Sequence, residues 1–178
     1  MRIETERLII TEFSADMARD VHENSLDEDN RRFFPDEVFE TEEDAAEAIV
    51  FLVSCYGKPG RPLVYPVITK DGGNNAGYVQ IAPLDGGDWE IGYHIAKQYT
   101  GRGYATEAVR AFLPAAADAA GTDRIYGICL SENAASKRVL EKCGFIPVSE
   151  GTGAYQGEER EIFRSVWKKR EEKGKRGT

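Results

Sequence analysis

The chain has 178 residues, of which 41% are hydrophobic, and a formal net charge of −8. That length and composition are typical of one globular domain, and no apolar run approaches the roughly 20 residues that span a bilayer. The acidic balance argues against nucleic acid as the main partner, and the charged residues after Met1 lack the apolar core of a secretion signal.

The N-terminal part of the chain predicts a strand, a helix and an irregular segment. A partly alternating apolar pattern predicts the strand over residues 3–12. Ser14 is placed to cap a helix that runs to about Asn24. The polar stretch that follows, residues 26–40, predicts a loop or a short irregular helix.

A second helix and three strands are predicted next. Thr41 and the acids after it have the form of a capping box, and the apolar spacing behind them predicts a helix that ends at Gly57. Three short apolar runs separated by Gly, Asp and Asn turns predict an antiparallel meander. These strands are residues 63–69, 77–82 and 89–95.

The rest of the chain alternates helix and strand. A predicted helix over residues 104–120 contains Pro114, which should kink or break it. The later elements are a strand over 124–130, a helix over 134–143 with Gly144 as its stop, and a strand over 162–167. This order predicts a mixed α/β fold, a sheet with helices on its faces, as one domain over residues 1–167. Residues 168–178 are mostly charged and are predicted to form a tail without regular structure.

Acidic residues are concentrated in one segment. Ten acids and two arginines lie between residues 27 and 47, so the local excess equals the net charge of the whole chain. Two interpretations stay open. Either the acids form a solvated face, or they create a negative field that draws in a cationic ligand.

Three cysteines and two histidines limit the metal and redox chemistry. The odd number of cysteines and their apolar neighbours favour reduced thiols in the cytoplasm over a disulfide framework. None of the cysteines has another Cys or a His at metal-ligand spacing, so no metal site is predicted. Cys129 lies on a predicted core strand, where a buried structural thiol is favoured over a nucleophile.

A glycine-containing turn between the strand 89–95 and the helix 104–120 is the strongest functional signal. Its glycines let several backbone N–H groups point inward, and the helix N-terminus adds partial positive charge, so the turn is suited to bind phosphate. The predicted cradle consists of Tyr99, Thr100, Gly101, Arg102, Gly103, Tyr104 and Ala105. The turn carries neither the P-loop pattern nor the dinucleotide-binding pattern, which argues against a nucleotide-binding fold.

Three motifs together resemble the GNAT superfamily of acetyl-CoA-dependent N-acetyltransferases. They are Gln98, Gly101 and Gly103 at the spacing of the family's pyrophosphate motif, the opening run Glu-Thr-Glu-Arg-Leu at residues 4–8, and the pair Asn133 and Ser136. The closer likeness is to the branch that acetylates ribosomal-protein N-termini, the RimJ/RimL type. The resemblance implies acetyl-CoA as co-substrate and a mainly antiparallel sheet with a splay between its two central strands.

The resemblance also implies how the cofactor is held. Pantetheine pairs with free backbone groups of the strand before the turn, which correspond here to His94, Ile95 and Ala96, and the same N–H groups can stabilise the oxyanion. Gln98 is the first residue of the pyrophosphate motif, and its position just before the turn matters more than its uncharged side chain. Asn133 would contact the pantetheine or the acceptor, although it is equally suited to cap the helix that follows.

Two residues compete for the role of general base. Strand alternation places Glu90 and His94 on one face of the strand 89–95, and many family members use a Glu on this strand to deprotonate the amine. A carboxylate with an ordinary pKa of about 4 is a weak base for ammonium, so Glu90 would need burial or a water relay. A histidine ordinarily titrates near pH 6.5, which makes His94 the second candidate.

The general acid is less defined. Many family members carry a tyrosine where this chain has Leu140, so that tyrosine is absent. In the RimJ/RimL-type branch the serine of the Asn-x-x-Ser pair can protonate the leaving thiolate, which points to Ser136. Water is the other possible proton source.

The sequence therefore predicts a cytoplasmic enzyme that moves an acetyl group from acetyl-CoA to a primary amine by direct attack. The acceptor stays open between a peptide or protein N-terminus and a polyamine or another small cationic amine. The alternative is a catalytically silent module that binds CoA and regulates. No membrane partner is predicted, and both a monomer and a homodimer stay open.

Overall fold

Eight strands form one mixed sheet in the computed structural model, which describes residues 1–169. In chain order they are β1 (Ile3–Glu4), β2 (Leu8–Ile10), β3 (Leu63–Thr69), β4 (Asn75–Pro83), β5 (Trp89–Ile95), β6 (Arg124–Leu130), β7 (Ile146–Tyr155) and β8 (Glu158–Lys168). Their order across the sheet is β1-β2-β3-β4-β5-β6-β8-β7. The helices are α1 (Ala18–Ser25), α2 (Glu28–Phe33), α3 (Glu42–Cys55), α4 (Tyr104–Ala120) and α5 (Ala134–Lys142). This confirms the predicted mixed α/β fold. No helix within residues 1–169 is long and apolar enough to cross a membrane.

The two central strands separate along their length. β5 and β6 run parallel and pair only at Glu90 with Tyr126 and at Ile91 with Gly127, whereas every other neighbouring pair is antiparallel. Beyond Ile91 the edge of β5 that faces β6 has no ladder partner. This is the splay that the resemblance implied.

The sheet has apolar residues on both faces. The main cluster surrounds α4, where Phe112 and Leu113 are almost fully buried beside Ile91 and Ile95 of β5. A smaller cluster lies between the opposite face and helices α1 and α3. Its buried members are Phe13, Ala18, Ile49 and Val64. Because side chains alternate along a strand, β3 contributes to both clusters, with Tyr65 in the main one and Val64 in the smaller one.

The N-terminal strand prediction was wrong in detail. Residues 3–12 form a hairpin of β1 and β2, closed by a hydrogen bond from the N–H of Thr5 to the carbonyl of Leu8 at 2.9 Å. Ser14 makes no side-chain cap, because a short 3-10 turn, Ala15–Met17, precedes α1. The segment predicted as loop or irregular helix contains α2 and a second 3-10 turn, Pro35–Glu37.

The other elements follow the prediction with two exceptions. Thr41 and Asp44 form both bonds of the predicted capping box. α4 continues unbroken through Pro114, so no break occurs there. β7 was missed because Pro and Gly interrupt its sequence and its side chains are mainly exposed, which hides the alternation. The predicted tail begins inside β8 at Lys168, and residues 170–178 lie outside the described part of the chain.

Candidate active site

The glycine turn has the geometry predicted for anion binding. Gly101 and Gly103 have φ angles of 76° and 80°. This left-handed region is open to glycine and strained for most other residues. Gly103 immediately precedes Tyr104, the first residue of α4, so the turn leads into the N-terminus of a long helix. Backbone N–H groups at that position favour an anion.

A cavity of about 290 Å³ lies between this turn and α5. The members of the predicted cradle that line it are Tyr99, Thr100, Gly101, Gly103, Tyr104 and Ala105. Two cations that the sequence analysis missed, Arg138 and Lys142, line it from α5. The guanidinium of Arg102 lies 5.9 Å from the ring centre of Tyr99, outside the lining. The arginine and lysine side chains that line this cavity therefore come from α5.

Two residues predicted to hold the cofactor make other contacts. Gln98 donates from Nε2 to Oδ1 of Asn24 on α1 at 3.1 Å. The N–H of Ala96 donates to the carbonyl of Ala76 at 2.9 Å, so it is committed to the β4 side of the sheet. The structure brings neither side chain into the cavity beside the turn.

Successive residues of β5 point their backbone groups alternately toward β4 and toward the open edge. The carbonyl oxygen of His94 lies against Gly77 of β4, and a Cβ added to Gly77 would be only 2.0 Å from that oxygen. Since the N–H and C=O of one strand residue point to the same side, the backbone groups of His94 face β4. Those of Tyr93 and Ile95 then face β6, beyond the last ladder pair. Of His94, Ile95 and Ala96, which were predicted to pair with pantetheine, only Ile95 has free backbone groups at the open edge. Tyr93, which was not predicted, also has free backbone groups at that edge.

A second cavity of about 290 Å³ opens where β5 and β6 diverge. Its lining includes Glu90, Tyr93, Cys129 and Ser136. Burial raises the pKa of Glu90 to about 7, an effect that Arg164 opposes and Glu37 reinforces. A carboxylate that titrates near neutrality can accept a proton from an amine at physiological pH. The structure thus supplies the burial that Glu90 needed.

Ser136 contacts a tyrosine that the sequence analysis did not select. Its Oγ lies 2.7 Å from the hydroxyl oxygen of Tyr93, and either group can donate. Burial raises the pKa of Tyr93 well above its ordinary value, so its hydroxyl stays protonated. Asn133 caps α5, because its Oδ1 accepts from the N–H of Ser136 at 3.0 Å. That cap fixes the turn that carries Ser136.

Glu37 is a further carboxylate at this cavity and was also missed. It lies at the end of the Pro35–Glu37 turn and accepts hydrogen bonds from the hydroxyl of Tyr78 and from Nε2 of Gln80, the latter at 3.3 Å. Burial raises its pKa to about 7. The only signal in the sequence was the concentration of acids in that segment.

His94 lies elsewhere. Its side chain, 9% exposed, places Nε2 3.1 Å from Oδ2 of Asp27, and it lines a different cavity from Glu90. Burial alone would raise the pKa of Asp27, but hydrogen bonds from His94 and from the N–H of Asn30 outweigh burial and lower that pKa. The two predicted base candidates are therefore separated, and Glu90 is the one beside Ser136.

The acidic segment divides into two parts. Asp27 and Glu37 turn inward and are partly buried, whereas the other eight acids are exposed. Most of the segment is therefore a solvated surface, and the attraction of a cationic ligand stays a prediction. Cys129 is 3% exposed, and burial raises the pKa of its thiol, which disfavours the reactive thiolate. Among residues 1–169 no group of three or more potential ligands could hold a metal.

Comparisons with known proteins agree with this geometry. A family model described as acetyltransferase (GNAT) domain matches residues 7–146. The uncharacterized N-acetyltransferase YnaD of Bacillus subtilis (strain 168) is 32% identical over 145 residues, 81% of this chain and 82% of YnaD. A GNAT-family acetyltransferase from Bacillus anthracis superposes with a TM-score of 0.79 at 27% identity, over 94% of this chain and 98% of that one. RimL, a ribosomal-protein acetyltransferase solved with coenzyme A, shares the fold with a TM-score of 0.80 at 15% identity, over 95% and 98% of the two chains.

Proposed function

Because this chain belongs to the GNAT acetyltransferase family, it is an acetyl-CoA-dependent N-acetyltransferase, and we propose that it acetylates a primary amine by direct attack. The observation that carries the proposal is the cavity at the β5–β6 splay. A carboxylate with a pKa of about 7, Glu90, and the hydroxyl pair of Ser136 and Tyr93 line that single cavity. One group suits proton removal and the other proton delivery.

The cofactor is proposed to lie along the path from the glycine turn to this cavity. The backbone of residues 99–105 would bind the pyrophosphate, with Arg138 and Lys142 adding positive charge from α5. The free backbone groups of Tyr93 and Ile95 would pair with the pantetheine. An N–H from the same edge would stabilise the oxyanion that forms on the acetyl carbonyl.

The chemical step needs three proton transfers. Glu90 removes a proton from the ammonium form of the acceptor, directly or through water, which leaves a neutral amine. The amine nitrogen then bonds to the acetyl carbon and gives a tetrahedral intermediate whose nitrogen is positively charged. That nitrogen loses its second proton to water or to Glu37, the other carboxylate that lines the cavity. The carbon–sulfur bond breaks as the carbonyl re-forms, and Ser136, hydrogen-bonded to Tyr93, gives a proton to the departing thiolate and regains one from water.

The acceptor is proposed to be a peptide or protein N-terminus, or a small cationic amine. The fold shared with RimL supports the first, and the acidic residues 27–47, of which eight are exposed, support either by attracting a cation. We also propose that residues 1–167 form a single catalytic domain. A cytoplasmic location is proposed as well, and the three buried free cysteines support it. The geometry favours neither a monomer nor a homodimer.

The test is release of free thiol from acetyl-CoA against a panel of peptides with varied N-termini, polyamines and aminoglycosides. Acceptor-dependent release that Glu90→Gln reduces about 100-fold, with CoA affinity retained, supports the proposal. A flat panel together with tight CoA binding by calorimetry would instead favour a silent CoA-binding regulatory module. If the protein bound no CoA at all, both the acetyltransferase and the regulatory-module hypotheses would be contradicted.

A further inference from the structure

A third cavity lies between the sheet and helices α1 and α3. It measures about 190 Å³ and borders the proposed active site, since Glu37 and Gln80 line both. Its walls are mainly apolar. They include Phe13, Val21, Phe39, Phe51, Leu52 and Val64. For scale, an engineered apolar cavity of about 150 Å³ holds one benzene molecule. The space therefore suits one aromatic ring or a branched aliphatic group.

A buried amide supports the wall of this cavity. Asn30 is 1% exposed, and its Nδ2 donates to the carbonyls of Ser25 and Glu37, at 2.9 and 3.1 Å. These two bonds hold the Pro35–Glu37 turn against the end of α1.

Several other polar side chains around the cavity are hydrogen-bonded within the protein. Asn24 donates to the carbonyl of Asn75 at 2.8 Å, and Ser25 accepts from the N–H of Phe39 at 2.9 Å. Tyr78 and Gln80 donate to Glu37. A ligand here would therefore meet walls that are mainly apolar, which calls for an apolar group.

The cavity also has an outlet and an acidic border. Phe51 lines it and is 52% exposed, so its ring lies between the cavity and solvent. Glu37 lines both this cavity and the proposed active site, and Asp27 is hydrogen-bonded to His94 of the cavity lining. Negative charge on that side suits a cationic amine, while the apolar side suits the rest of the molecule.

We propose that this cavity holds the side group of the acceptor, and that the acceptor is a primary amine bearing an aromatic or branched apolar group. The inference rests on the proposed function, because it assigns the substrate class of the same site. A phenyl, phenol or indole ring meets the description, either in a small arylalkylamine or as the first side chain of a peptide. A polyamine does not, since it would bury charge among apolar walls.

The test compares amines that differ in one feature at a time. Tyramine, 2-phenylethylamine and putrescine are acetylated in parallel, and the tripeptides Tyr-Gly-Gly and Gly-Gly-Gly distinguish a peptide source from a free amine. Either aromatic amine should exceed putrescine by about 10-fold or more in kcat/KM.

A cavity-filling variant separates this site from general amine binding. Ala48 lines the cavity from α3, so Ala48→Leu should raise KM for tyramine about 10-fold and leave CoA affinity unchanged. Ala119→Leu adds the same atoms at an exposed position of α4 and is the matched control. Direct calorimetric binding of tyramine to the CoA-bound protein provides a readout that does not depend on turnover.

The outcomes are distinguishable. Acetylation in which putrescine equals or exceeds the aromatic amines, or in which Ala48→Leu affects all acceptors alike, would overturn this inference and leave the proposed function standing. Tyramine binding that Ala48→Leu weakens, without acetylation of any amine, would support the cavity assignment and contradict the proposed function. If Ala48→Leu does not fold, the ranking of the five acceptors on the unmodified protein still decides.

Discussion

Arg7 and Glu107 form an ion pair across the fold, beside the glycine turn. The Nε of Arg7 donates to Oε2 of Glu107 at 2.7 Å, and its Nη1 donates to the carbonyl of Arg102 at 2.8 Å. Thr5 adds a hydrogen bond from its hydroxyl to Oε1 of Glu107 at 2.6 Å. The opening run of the chain therefore holds both the glycine turn and the first turn of α4. This gives the motif at residues 4–8 a structural role that its sequence alone did not reveal.

Removing this contact should weaken cofactor binding. Arg7→Ala removes the donor to the carbonyl of Arg102 and the ion pair with Glu107, which keeps only the hydrogen bonds from Thr5 and from the N–H of residue 7, so the turn loses support. We expect the Kd for CoA, measured by calorimetry, to rise about 10-fold, equivalent to about 1.4 kcal/mol. The matched control is Arg2→Ala, which removes an exposed arginine paired with Glu4 of β1, two residues along the chain. Equal CoA affinity in the two variants would show that the contact does not support the turn.

The pH dependence of the rate should report the buried carboxylate. Burial raises the pKa of Glu90 to about 7, and the base must be ionised, so kcat at saturating acceptor should rise with pH to a plateau with a midpoint near 7. Glu90→Gln should lower the plateau about 100-fold and remove that midpoint. In Glu37→Gln the midpoint should move to lower pH, because Glu37 contributes to the raised pKa of Glu90. A midpoint near 7 that persists in Glu90→Gln would assign the base elsewhere.

The raised pKa of Glu90 also makes the stability of the protein depend on pH. A carboxyl whose folded pKa exceeds its unfolded value near 4.5 contributes stability that is complete below that value and is lost as pH rises through about 7. Because glutamine does not ionise, the Glu90→Gln variant does not lose this stability as pH rises. Its free energy of unfolding, relative to the unmodified protein, should therefore increase by about 2 kcal/mol between pH 5 and pH 8.

Denaturant unfolding at the two pH values measures this change. Glu47→Gln removes an exposed carboxylate from α3 and serves as the control, with an expected change within about 0.5 kcal/mol. A Glu90→Gln difference that stays constant with pH would mean that the folded state does not hold the proton of Glu90 more tightly than the unfolded chain does.

Local patterns predicted the parts of this protein that depend on local structure. The glycine turn, the capping box at Thr41 and the position of Glu90 on β5 all follow from short-range spacing. Glu37 could not be predicted in the same way, because its burial depends on how a 3-10 turn packs over Tyr78 and Gln80. That contact joins residues about forty positions apart.

Tyr93 was missed for a different reason. Alternation placed it on the face of β5 opposite Glu90, and on an intact sheet the two side chains would remain apart. The separation of β5 from β6 lets both line one cavity, with Tyr93 against Ser136 of α5. A splay arises from the pairing of distant strands, so periodicity along one strand carries no information about it.

The hydroxyl pair provides the last prediction. If Ser136 protonates the leaving thiolate and Tyr93 supports it, Ser136→Ala and Tyr93→Phe should each lower kcat about 10- to 100-fold with little change in CoA affinity. The double variant should lose little more than the worse single one, because the two hydroxyls act as a unit through their 2.7 Å contact. Thr152→Val, which removes an exposed hydroxyl on β7, is the control. Single variants with unchanged kcat would instead indicate that water protonates the thiolate, and losses that multiply in the double variant would indicate two independent roles.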